Sequence, residues 1–155
     1  MSTPGAQAVD FISVDRLQSL AATPESAAPE LPRVFAAANL PDEDHRNWAT
    51  EVLEKIEEPP TECLAMLIEL LKSGSSTDAY WACRLIGRMH ERADSAEPTL
   101  CELLTSAADM TVREEAAAAL GKLSSLCDTT CIALASAAEK GSPRLARLSR
   151  AALNK

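Results

Sequence analysis

Cys127 and Cys131 stand four residues apart, a spacing that on a helix brings two thiols to one face and would begin a soft-metal site. Zinc needs four ligands, no Cys-x-x-Cys accompanies the pair, and no histidine follows His90, so no metal centre is expected. Cys83 and Cys101 fall on Ala117 and Ala135 when the chain is slid along itself by 34 residues, so cysteine stands in there for a small apolar side chain. With only His45 and His90, and no glycine-rich phosphate loop, no Ser-His or Cys-His nucleophile can be assembled. Carboxylates are plentiful, but no pair is marked by its spacing as an acid and its base. The residues point to a chain with no catalytic side chain, metal or cofactor, whose chemistry is recognition.

Two basic groups bear on that recognition. Arg84, Arg88 and Arg92 recur every four residues and make a positive stripe on one helix, which Glu91 and Glu97 would balance as a solvated face. Arg144, Arg147 and Arg150, spaced by three, fan over about 120° of another helix. They suit the polar end face that a terminal repeat needs, or alternatively a patch for an anionic partner.

The elements that must position these residues are read best from Thr111 to Leu123, TVREEAAAALGKL, where Ala116, Ala117, Ala119, Leu120 and Leu123 recur at helical spacing. Gly121 is placed inside that helix, at a cost of about 1 kcal/mol against alanine, which implies a close approach by a neighbour. The grammar repeats. Ile86, Gly87, Arg88 and Met89 fall on Leu120 to Leu123 at an offset of 34, Leu67 to Leu71 fall on Leu100 to Leu104 at 33, and Leu145 to Leu153 repeat Val112 to Leu120 at 33. Self-similarity with such a period marks a solenoid, in which each unit buries its apolar face on its neighbours.

The segments Leu64–Met89, LAMLIELLKSGSSTDAYWACRLIGRM, and Glu97–Leu123, EPTLCELLTSAADMTVREEAAAALGKL, resemble the HEAT-repeat family in its short, phycobilisome-lyase-like form. The resemblance covers Asp44 to Lys155. It implies a right-handed α-solenoid of helical hairpins whose second helices line a concave face that holds partners. On this phase Ala65, Glu69, Lys72, Glu102 and Ser136 belong to that face, and two acids in register would suit a basic or helical peptide. The family's opening Val-Arg pair is present as Val112 and Arg113, but Asp78 and Ala79, and then Leu145 and Ala146, replace it elsewhere. His90 and Glu91 resemble the His-Glu pairs with which deoxyhypusine hydroxylase of this family holds two irons. That enzyme needs several such pairs, and His45 is followed by Arg46, so His90 is read as a solvated helix end.

Along the chain, residues 1–12 read as a frayed tail. Ser13 caps a short helix from Val14 to Ala22, and Pro32 opens a second that Asn39 and Pro41 end. These pieces, residues 1–41, are expected to cap a solenoid over 42–155. The helices are expected to pair as 42–56 with 64–71, 77–89 with 97–104 and 111–123 with 129 onward, leaving the helix from Pro143 unpaired. Its Leu145 and Leu148 would then either be covered locally or join a second copy.

Charge excludes more than it selects. Lys140, Arg144, Arg147, Arg150 and Lys155 supply +5 of a net −8, so the remainder carries −13 and repels nucleic-acid phosphate and anionic lipid. No apolar run is long enough to span a membrane and the N-terminus has no signal-like pattern, so a cytoplasmic address with reduced cysteines is expected. The reading is a non-catalytic module that binds another protein on a concave face. The alternative, from the resemblance, is an accessory subunit of a bilin lyase-like or chaperone-like modifying complex.

Overall fold

The computed structural model describes residues 10–155, which form helices α1 (Val14–Ala22), α2 (Leu31–Ala38), α3 (Glu43–Lys55), α4 (Leu64–Leu71), α5 (Ser76–Gly87), α6 (Glu97–Ser106), α7 (Met110–Leu120), α8 (Asp128–Lys140) and α9 (Pro143–Leu153). Among the described residues there is no strand. The chain divides into two compact units, Met1–Ile56 and Glu57–Lys155.

In the first unit α3 packs on both α1 and α2. Ser13 Oγ accepts the Arg16 N–H at 3.1 Å and Asp42 accepts that of His45 at 3.0 Å, so α1 and α3 begin at the polar residues the sequence marks. Leu17, Leu20, Leu31, Val34, Phe35, Val52 and Leu53 make the core, each no more than 1% exposed. Of the expected tail, residues 1–9 lie outside the described residues, and Ile12 belongs to the core at 1% exposure. The division between units falls after Ile56 and leaves α3 with α1 and α2.

The second unit is a solenoid of three hairpins, α4/α5, α6/α7 and α8/α9, stacked so that α4, α6 and α8 form one layer and α5, α7 and α9 the other. This corrects the expected pairing by one helix. Connections of 72–75, 107–109 and 141–142 close the hairpins, while 88–96 and 121–127 carry the chain to the next repeat. Gly74, at φ +84°, makes the first of these turns in a conformation that side chains with a Cβ disfavour. α9 is therefore not unpaired. It packs on α7 and α8, and Leu145 is fully buried, so of the two alternatives it is covered locally.

The repeat shows itself most directly at Gly87 and Gly121. A Cβ at Gly87 would lie 3.5 Å from Ala119 Cα, and one at Gly121 would lie 3.5 Å from Ala152 Cα, so each glycine meets the equivalent alanine of the next hairpin. Gly121 follows the end of α7 as its cap rather than lying inside it. The close approach expected of it is present all the same.

Candidate partner-binding surface

Ala65, Glu69, Lys72, Glu102 and Ser136 are all exposed on the α4/α6/α8 side. They sit on or just after α4, α6 and α8, the layer whose helices open the three hairpins. Three of the five, Lys72, Glu102 and Ser136, border clefts at the edge where the hairpin turns lie.

Lys72 and Glu102 come together in one cleft of about 290 Å³, floored by Leu71 and Leu103. A neighbouring cleft of about 180 Å³ shares Leu71, Gly74, Leu103 and Ala107 and extends to Asp109. Glu69 joins them only through Lys72, at 3.8 Å, with 76% of its side chain exposed. Ser136 lies one repeat further on, in a cleft of about 260 Å³ with Leu104, Met110, Arg113 and Lys140. Ala65 borders none of the three. The clefts are repeat-related: Leu71 corresponds to Leu104, Ala107 to Gly141 and Val112 to Leu145. Lys140 and Met110 were not singled out from the sequence for this edge. Sliding the turns, and not only the helices, by the repeat period would have found them.

The basic groups are put to other uses. Arg144 is held by Glu114 at 3.2 Å and Glu115 at 3.3 Å, while Arg150 donates to Ala138 O at 3.0 Å, leaving Arg147 exposed. The arginine stripe of α5 is also broken up. The helix ends at Gly87, His90 adopts φ 52°, and Arg92 lies in the following 3-10 segment, paired with Glu58 at 2.5 Å. Arg84 lies 5.6 Å from the ring centres of Tyr80 and Trp81 and 3.8 Å from Glu115. Glu114 and Glu115 are 8% and 6% exposed, so this layer holds its carboxylates buried and paired.

Neighbouring repeats are also joined through carboxylates. Asp94 accepts from the N–H of Ser124 at 2.9 Å and from its hydroxyl, bonds that hold its carboxyl below the usual range. Glu97 accepts from the Cys127 N–H at 2.7 Å. Burial works to raise its pKa, but that bond and those from the Thr130 hydroxyl and the Cys127 side chain outweigh it and the net shift is downward.

The cysteines follow the packing. Cys83 is buried, and burial reinforced by Glu115 pushes its thiol up to about 12, so it stays protonated. Cys127 Sγ lies 3.4 Å from Thr130 Oγ1. Among the described residues no three His, Cys, Asp or Glu side chains are grouped to hold a metal, and no helix is long and apolar enough to cross a membrane.

In comparison with known proteins, a family model described as HEAT repeats matches residues 64–154. No curated protein matches the chain.

Proposed function

The chain belongs to the HEAT-repeat family, and from that premise we propose that it is a non-catalytic scaffold that holds a segment of another protein along the turn edge of its α4/α6/α8 layer. Repeats of this family generally mediate protein–protein interaction, which gives the class of partner. One observation supports the choice of surface: clefts of about 290 and 260 Å³ recur one repeat apart, built from equivalent positions. Each has an apolar floor and charged side chains at its rim, the composition that binding sites use to combine burial with orientation. Being formed by rigid hairpins, the edge loses little entropy when it is occupied.

The test is a photo-crosslinking amino acid placed at Glu102, with a second version carrying it at Arg147. In native lysate the Glu102 version is expected to capture a protein that excess unlabelled chain displaces, and Glu69→Lys is expected to weaken capture. Displaceable capture from Arg147 alone would move the partner surface to α9 and overturn the proposal.

A further inference from the structure

Within the scaffold reading, we propose that the edge selects a left-handed polyproline-type segment carrying a cationic side chain at one position and an anionic side chain three residues away. The inference rests on a difference between the two clefts. The first is bordered by Glu102 and, in its adjoining lobe, Asp109; its one cation, Lys72, is drawn to Glu69 at the rim. The second is bordered by Arg113 and Lys140 and, among the described residues, by no carboxylate. A basic cleft thus sits one repeat from an acidic one in a chain of net charge −8.

The second cleft's charge is available. Arg113 donates its Nε–H to Leu104 O at 2.9 Å, which fixes the plane of the guanidinium and leaves its terminal N–H groups for a ligand. Lys140 is exposed at the end of α8, where a cation also complements the helix dipole.

Spacing selects the conformation of the occupant. Packed helices lie about 8–10 Å apart, so equivalent clefts on successive hairpins are separated by about that distance. In a polyproline helix, residues i and i+3 share a face about 9 Å apart. In a β-strand, residues on one face are about 7 or 13 Å apart, on either side of the required pitch. A polyproline segment also enters the site already extended and gives up little entropy there.

The probes are fluorescein-labelled, proline-framed peptides titrated by anisotropy into the full chain. One carries Arg and Glu three residues apart, one carries them two apart, one carries two Arg and one two Glu. The Arg/Glu peptide with three-residue spacing is expected to bind about tenfold tighter than the other three. Lys140→Glu should shift preference to the two-Arg peptide and Glu102→Lys to the two-Glu peptide, with circular dichroism confirming that both variants fold. Equal binding of all four peptides, a same-charge preference by the unmodified chain, or no binding of the Arg/Glu peptide would overturn the inference. If crosslinking at Glu102 still captures a protein, the scaffold reading survives such a result; if it does not, both fall.

Discussion

The two layers of the second unit use acidic residues in opposite ways. On α7, Glu114 and Glu115 are 8% and 6% exposed and are bridged by Arg144, with Arg84 also at Glu115. On α4, the side chain of Glu69 is 76% exposed and pairs with Lys72 at 3.8 Å. A carboxylate withdrawn from water must be paired or it destabilises the fold, whereas an exposed pair contributes at most about 1 kcal/mol. One layer has therefore committed its charge to cohesion. The other leaves its charge in solvent.

The comparison breaks most readily at Glu115. Glu115→Ala is expected to cost about 2–3 kcal/mol in urea unfolding, less than a fully buried pair because Arg144 keeps 53% of its side chain exposed. A loss no larger than that from Glu102→Ala would erase the distinction between layers. Acid sharpens it next. The carboxyls of Asp94 and Glu97 titrate lower in the folded chain than in the unfolded one, so their stabilisation is complete above the unfolded values and is lost as pH falls through the folded ones. Asp94→Asn with Glu97→Gln should lower stability at neutral pH and flatten its decline below about pH 4. A smaller effect belongs to neither layer: His90→Gly relieves a positive φ and should raise stability by about 0.5–1 kcal/mol in thermal melts. The smallest is expected for Glu69→Lys and Glu102→Lys, whose unfolding free energies should stay within about 0.5 kcal/mol while partner capture falls.

Much of this fold was legible because its periodicity is strict. The offsets of 33 and 34 pair Gly87 with Gly121 and Ala119 with Ala152, and the structure places those residues in equivalent contacts. The hairpin phase was not read, although the connection lengths carry it. Four residues separate α4 from α5 but nine separate α5 from α6, and a short link marks antiparallel neighbours. The misread phase left α9 without a partner, whereas it packs on α7 and α8. Ile132 is 71% exposed while Leu134 is buried, since residues two apart on a helix face different ways. Glu102 was singled out by its register with Glu69 and Ser136, and Lys72 as a neighbour of Glu69. Arg113 joins Ser136 only because neighbouring hairpins stack, whereas Lys140 follows Ser136 by four residues on α8 and was open to a reading from helical spacing.

The glycine–alanine contacts between hairpins have an implication for how such a chain lengthens. Since Gly87 against Ala119 and Gly121 against Ala152 are the same joint made twice, a duplicated 34-residue block inserted there would present a socket to the block before it and a matching plug to the block after. Growth by copying then requires no newly invented interface. A side chain in place of either glycine would, by contrast, press on Lys122 Cδ or Ala118 O at 3.3 Å, so each copied joint would have to give by a few tenths of an ångström.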